Sequence, residues 1–322
     1  MTTSLIFCVF LLLCIIALLF MNTLYRRTNH YYNTSNETGK YLKQINDSLD
    51  IVNTGSTFAY YAFDYNDIGI RGFNFALKPQ FLRYDDVILK KYASKLSKDA
   101  VVLICVADFA LLIPNSSQKK LHDKYYRFLR NSEINNASAI RRIIIKYLPV
   151  CIELKNFGRF MFDCGRDEDY YVNPNDKEFV SASADAYVDG WCREFGFNNL
   201  VDASQDLTRF DNRIRDSIQH IESMIKTCRE HSAHPVFILL PASECVENKI
   251  SLDFMEKTLV SQLKKIDTSV PILNYTQNRK LQNYLLYRDA FCLNGAGRRV
   301  FTKIVIADLK AAGYMSNKEK GS

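Results

Sequence analysis

The chain has no Cys-x-x-Cys pair, no tract of lysine or arginine, one tryptophan and only five histidines in its 322 residues. Without Cys-x-x-Cys the ligand spacing of a zinc finger or ribbon is missing, and neither metal nor cofactor is expected. The nine cysteines set no disulfide framework. Cys8 and Cys14 fall in an apolar N-terminal stretch, and the other seven, an odd number, show no paired spacing. The formal net charge of +7 is spread along the chain. A nucleic-acid surface would gather its basic residues, so no nucleic-acid partner is expected. No internal repeat or low-complexity tract divides the sequence, which argues against a solenoid or a disordered array.

What is present is a large apolar content. At 48% hydrophobic and 24% charged, with 19 Tyr and 21 Phe, the chain can bury a full core. Residues 5–21 carry no charge, and at ~1.5 Å per residue they nearly cross a hydrocarbon layer of ~30 Å. This run reads as a single membrane anchor, residues 1–24. A cleaved signal peptide is the runner-up, but no Lys or Arg precedes the run and no small-x-small site follows it. A buried core helix fits worst, because nothing on its circumference is polar. Arg26 and Arg27 follow the span, and two arginines are a small bias toward a cytoplasmic domain. Residues 25–48 are a polar stalk, 49–314 the globular domain and 315–322 a polar tail.

Within the globular part, short apolar runs alternate with helical periodicity. Strands are expected at 49–53, 100–106, 235–240 and 270–273. Leu207, Phe210, Ile214, Ile218, Ile221, Ile225 and Cys228 recur every three or four residues and mark one stripe of a long helix. Further helices are expected over 84–96, over 252–266, and after Asn294, which caps a last helix that stops near Gly313. Strands alternating with helices imply an α/β fold with a mainly parallel sheet between two helical layers, an α/β/α sandwich. In such sheets sites form beyond the carboxyl ends of the strands. Gly55-Ser56-Thr57 falls there, just past the first strand, and the segment around Cys292 falls there after the last. The stretch 119–204 lacks regular periodicity, with a helix starting near Tyr125, Tyr126 and Leu129 and a loop-like 157–176; it reads as an insertion or lid.

At these residues the chain resembles the SGNH (GDSL-like) hydrolase and acyltransferase superfamily, in particular its membrane-anchored bacterial branch associated with surface polysaccharides. The first block reads Asn53-Thr54-Gly55-Ser56-Thr57-Phe58-Ala59 and the last reads Asp289-Ala290-Phe291-Cys292-Leu293-Asn294-Gly295-Ala296-Gly297. The last is similar to the family's Asp-x-x-His-Leu-Asn-x-x-Gly. Gly72-Phe73-Asn74-Phe75-Ala76-Leu77 resembles the block whose Gly donates to the oxyanion, and Val106-Ala107-Asp108-Phe109 stands where an Asn donor is usual. The likeness spans about residues 50 to 312. It implies an ester hydrolase or O-acyltransferase acting on a carbohydrate polymer, with the domain outside the cytoplasm. Thr57 then takes the nucleophile position, with Ser56 as substitute. Asp289 keeps the carboxylate, Cys292 replaces the histidine, and Gly72, Asn74 and Asp108 line the oxyanion or substrate side.

Those replacements oppose catalysis of the family's kind. A threonine hydroxyl needs a base within hydrogen-bond reach. A thiol with a reference pKa of ~8.5 does not shuttle a proton near neutrality as imidazole does. None of His30, His122, His220, His231 and His234 follows the last strand. His231 and His234 are expected at the amino edge of the sheet, His220 as a solvated helix residue, and His122 as an ordinary exposed residue of the insertion. The second function class is therefore a degenerate relative that binds an acylated sugar or a membrane-protein partner without turnover, and the third a structural subunit of a polysaccharide synthesis or export complex. Each residue has a plainer reading too. Thr57 suits a helix cap, Cys292 a small buried apolar site, Asp289 a cap or an ion pair with Arg288 or Arg298, and Gly72 and Asn74 a tight turn. Asp64-Tyr65-Asn66-Asp67 lacks EF-hand spacing and reads as a solvated loop.

Overall fold

A computed structural model describes residues 2–28, 31, 38–42, 45–66, 68–115, 119–154, 158 and 176–315. Its principal elements are α1 (Thr2–Tyr25), β1 (Leu49–Asn53), β2 (Gly72–Asn74), α2 (Leu82–Tyr92), β3 (Leu96–Cys105), α3 (Ala139–Tyr147), α4 (Val150–Glu153), α5 (Lys177–Phe195), α6 (Asp211–Glu230) and β4 (His234–Leu239). There follow α7, built from Leu252–Met255, a π turn Glu256–Val260 and Ser261–Ile266, then β5 (Ile272–Asn274) and α8 (Gly295–Ala311). The chain forms two compact units, Met1–Ile45 with Ser116–Glu168, and Asn46–Asn115 with Asp169–Ser322. The stretch 119–204 is thus divided between them. The loop-like 157–175, Asp67, His30 and the tail 316–322 lie outside the described residues, apart from position 158.

The second unit is an α/β fold around a five-stranded, wholly parallel sheet in the order β2-β1-β3-β4-β5. Val101, Val102, Leu103 and Ile104 are all fully buried. Successive side chains of a strand point to opposite faces, so the sheet is covered on both. One face packs Ile51, Val101, Leu103, Val236 and Ile238 against Phe301, Val305 and Leu309 of α8. On the other, α2 and α6 pack together and α6 reaches β4. The expected stripe of α6 is buried at Ile214, Ile221, Ile225 and Cys228. Asn294 caps α8, its Oδ1 accepting from Gly297 N at 3.0 Å.

Several elements differ from the sequence expectation; the helix expected over 84–96 runs over Leu82–Tyr92, and β3 begins at Leu96 rather than 100. β2 is a fifth strand in a segment read only as a motif; its three residues are half-buried at the sheet edge and supply no apolar run. α5 is a 19-residue helix inside the stretch read as irregular. It starts at Asp176, whose Oδ1 accepts from Phe179 N at 2.9 Å, and ends at Gly196 with φ +61°. Its inward stripe Val180, Ala184, Tyr187, Trp191 and Phe195 mixes small and aromatic residues, which hides the helical period. The segment at Tyr125 and Tyr126 is a 3-10 helix, Lys119–Arg127.

In the first unit, α1 contains an uncharged stretch of mean hydropathy 3.2, long and apolar enough to cross a membrane. Its end is fastened. Asn22 Nδ2 donates to Tyr147 O at 2.8 Å, Val150 N donates to Asn22 Oδ1 at 3.4 Å, and Leu18, Met21 and Tyr25 pack with Val150 and Cys151.

Candidate functional site

The strand order has one switch point. The chain leaves β1 for β2 on one side and returns to β3 on the other, so the connections diverge and open a crevice beyond the carboxyl ends of β1 and β3. Two adjoining cavities of about 190 and 420 Å³ lie there and share Phe58, Ala107 and Asp108. Ser56, Thr57, Gln80, Asp85 and Trp191 line the smaller one. The larger continues past β4 and β5 along Leu240, Ala242, Gln277, Gln282 and Phe291.

The turn after β1 is rigid. Gly55 has φ +122°, and a Cβ there would stand 2.6 Å from the Cβ of Ala59, so only glycine fits. Gly55 N donates to Asp85 Oδ1 at 2.6 Å, and Gln80 Nε2 donates to the same oxygen at 2.6 Å. Ser56 holds the cap position of the turn Thr57–Tyr60, but its Oγ accepts from Gln80 N at 2.9 Å instead of capping. Thr57 is therefore the first residue of that turn, not its cap. Its hydroxyl borders the smaller cavity and has no hydrogen-bond partner among the described residues.

The two distant segments do meet, through aromatic rings. Phe58 stacks on Phe291 at 5.2 Å between centroids, and Tyr187 stands edge-on to both, at 5.8 and 5.1 Å. Cys292 itself is buried and lines neither cavity. Its thiol stands beside the Tyr187 hydroxyl and the Asp289 carboxylate. Burial first, then the Asp289 charge, pushes the Cys292 thiol well above its usual range. Tyr187 borders the smaller cavity together with Thr57 and also stands beside Cys292. Asp289 is committed to the loop, its Oδ1 accepting from Phe291 N at 3.0 Å and Cys292 N at 2.8 Å. Cys292→His would force an imidazole against Tyr187 in a site 1% exposed. We expect a loss of about 1–3 kcal/mol, the usual cost of overpacking, seen as a lower melting temperature.

Gly72 and Asn74 are not available to a substrate. Gly72 opens β2 at the strand's amino end, its N–H donates to Ile70 O at 3.0 Å, and a Cβ would stand 2.3 Å from the Tyr65 ring. Close packing, not an oxyanion, requires this glycine. Asn74 Nδ2 donates to Tyr60 O at 3.1 Å, and its Oδ1 accepts from Asn53 Nδ2 at 3.0 Å and Ala76 N at 2.9 Å. The amide ties the Thr57 turn to β2 and has nothing left to offer. Asp108 does face the crevice, bordering both cavities, and burial pushes its carboxyl up to about 6.

No histidine borders either cavity among the described residues. His234 opens β4 and His231 follows α6, both at the amino edge of the sheet as expected. His220 is not solvated as expected; its Nδ1 lies 3.4 Å from Asp86 Oδ2 and its side chain is 19% exposed. His122, expected exposed, is buried in the first unit. In the loop at 64–67, Asp64 Oδ1 accepts from Asn66 N at 3.1 Å, a local turn.

Sequence reasoning missed Gln80, Asp85, Tyr187 and Trp191. Burial pushes Asp85 up to about 7; the Gly55 N–H and the Gln80 amide oppose this. Gln80 is buried at the smaller cavity, and its Oε1 has no partner among the described residues. Trp191 packs on Phe109 and Phe291 at 4.7 and 4.9 Å. Two signals were legible: a carboxylate on the apolar stripe of α2, and the lone tryptophan. No protein-family model and no curated protein matches the chain.

Proposed function

We propose that the protein is a membrane-anchored SGNH-like domain that binds an acylated carbohydrate in its switch-point crevice, outside the cytoplasm, and does not cleave it by the family's serine–histidine route. The observation that carries this reading is the position of Cys292. The thiol at the histidine position stands beside Tyr187 and lines neither cavity, and the Thr57 hydroxyl has no hydrogen-bond partner among the described residues. The crevice otherwise suits a sugar. Aromatic rings of Phe58, Tyr187 and Trp191 form an apolar wall, and the Asp108 carboxylate is an acceptor for hydroxyl donors. An acyl group fits the apolar part and hydroxyls the polar part, the usual division in a ligand pocket. A partner in a polysaccharide synthesis or export complex is compatible with this role, the domain holding the acylated chain for another subunit.

The single tryptophan is a built-in reporter. Acetylated oligosaccharides titrated into the full chain in detergent should change its emission saturably, and deacetylated ones should bind at least about tenfold more weakly, the cost of about 1.4 kcal/mol of lost contact. Wild-type protein should leave p-nitrophenyl acetate at the background rate. Turnover of that ester abolished by Thr57→Ala would sink the non-catalytic reading, and no emission change with any acetylated sugar would sink the ligand class.

A further inference from the structure

α3 and α4 of the first unit expose a face that water does not explain. Ile140, Ile143 and Tyr147 are 72%, 57% and 56% exposed, while Ile145, on the other side of α3, is 5% exposed and holds the helix to the unit. Residues spaced by three, four and seven share one side of a helix, so the three exposed side chains form a single stripe. Ile152 and Leu154, on and just after α4, extend the exposed apolar surface. No acidic residue occurs from Ser138 to Ile152.

The location of this face says what covers it. α4 packs at Val150 and Cys151 against Leu18 and Met21, residues of the uncharged run of α1. At ~1.5 Å rise per residue, Leu18 lies about 6 Å before Asn22, so Val150 sits at the depth of the last turn of the apolar run. The α1 end and α3 are joined by Asn22 donating to Tyr147 O at 2.8 Å and by Arg26 Nη2 donating to Lys146 O and Tyr147 O. Around this depth the cations Arg27 and Lys146 are exposed and have no carboxylate partner among the described residues, whereas Arg141 is paired with Asp123. An apolar stripe flanked by exposed cations, tied to the end of a spanning helix, matches a helix lying in the boundary between headgroups and acyl chains.

We propose that α3 and α4 form an interfacial foot that lies in the bilayer α1 crosses, with Ile140, Ile143, Tyr147, Ile152 and Leu154 in the upper acyl region and Arg27 and Lys146 among anionic headgroups. The proposal rests on the reading of α1 as a membrane anchor. The test uses the full chain in lipid nanodiscs containing phosphatidylcholine brominated near the top of its acyl chains, with and without phosphatidylglycerol. Phe10→Trp reports the span, Ile143→Trp and Ile140→Trp report the foot, and Lys226→Trp, at an exposed position of α6, is the control; Trp191 gives a constant background. The added emission of Ile143→Trp or Ile140→Trp should fall by roughly half on bromination, and further with phosphatidylglycerol. Lys226→Trp sets the reference for a residue that the proposal does not place in lipid. If Phe10→Trp is quenched and both foot variants behave like Lys226→Trp, the foot is overturned while the anchor stands. If Phe10→Trp is not quenched, the anchor reading fails and takes the foot with it. Equal quenching of the foot with and without phosphatidylglycerol overturns the headgroup assignment alone.

Discussion

Replacing Gly297 with alanine is expected to cost about 3 kcal/mol, the upper end of the usual overpacking cost, and to lower the melting temperature by about 6–12 °C, at ~2–4 °C per kcal/mol for a domain of this size. An added Cβ would stand 2.1 Å from the carbonyl oxygen of Leu286 and 2.9 Å from Leu293 Cδ2. The first neighbour is backbone and cannot rotate away. It is also in use: Leu286 O accepts from Asn294 N at 2.9 Å, while Asn294 Nδ2 holds Leu285 O at 2.8 Å and Arg288 N donates to Cys292 O at 2.9 Å. Moving Leu286 far enough to relieve the clash breaks this ladder, and with it the seat of Phe291 in the crevice wall. The matched control is Gly190→Ala in α5, where a Cβ meets nothing within 4 Å. That change should raise stability by about 0.5–1 kcal/mol, since glycine in a helix interior costs that much relative to alanine. Thermal melts of the two variants beside wild type decide the matter; a Gly297→Ala shift as small as that of Gly190→Ala would show that the α8 start tolerates a side chain.

The Gly297 contact gives a physical reason for the spacing Asn294-x-x-Gly297. The asparagine caps the helix, and the glycine lets the cap and the preceding loop approach. That part was legible because it is local, as were β1 at Leu49–Asn53 and the α6 stripe. β5 begins at Ile272 rather than 270 because Val270 N is taken by Asp267 O in a turn and Pro271 has no N–H. β2 was hidden because three half-buried edge residues need the neighbouring strand to be strand at all. The crevice was legible only at its first turn. Thr57 and Asp108 could be placed by counting from strand ends, but Tyr187 and Trp191 reach the site from a helix whose aromatic stripe has no regular aliphatic period. Gly72 and Asn74 were assigned by motif alone, and a motif does not report that an N–H or an amide is already spent. The same residue types serve an oxyanion in one chain and a β-strand edge in another.

Asp85→Asn is expected to make the protein more stable at pH 8.5, by about 2–4 kcal/mol, and to change it by about 1 kcal/mol or less at pH 4.5. The carboxyl titrates near 3.8 when unfolded and is pushed up to about 7 by burial in the folded chain. Between those values the native state holds a proton that the unfolded state has released. The stabilisation linked to that proton is fully present below about pH 4, declines as pH rises, and is gone above about pH 7, where a charge is buried. A shift of about three units is a ceiling of ~4 kcal/mol at ~1.4 kcal/mol per unit, and relaxation around the charge brings the measured value lower. Asparagine has the same shape and keeps an oxygen to accept from Gly55 N and Gln80 Nε2, so the turn before Thr57 stays held while the titration disappears. Asp108, pushed up to about 6, adds a slope of the same sign that the variant retains. The melting temperature of wild type should therefore fall more steeply from pH 4.5 to 8.5 than that of Asp85→Asn, the two curves separating by about 6–10 °C at the alkaline end. Parallel curves would mean that Asp85 stays ionised across this range, with the Gly55 and Gln80 donors outweighing its burial. The Gly55 turn would then be an anion clamp, and its hold on the Thr57 segment would not loosen with pH.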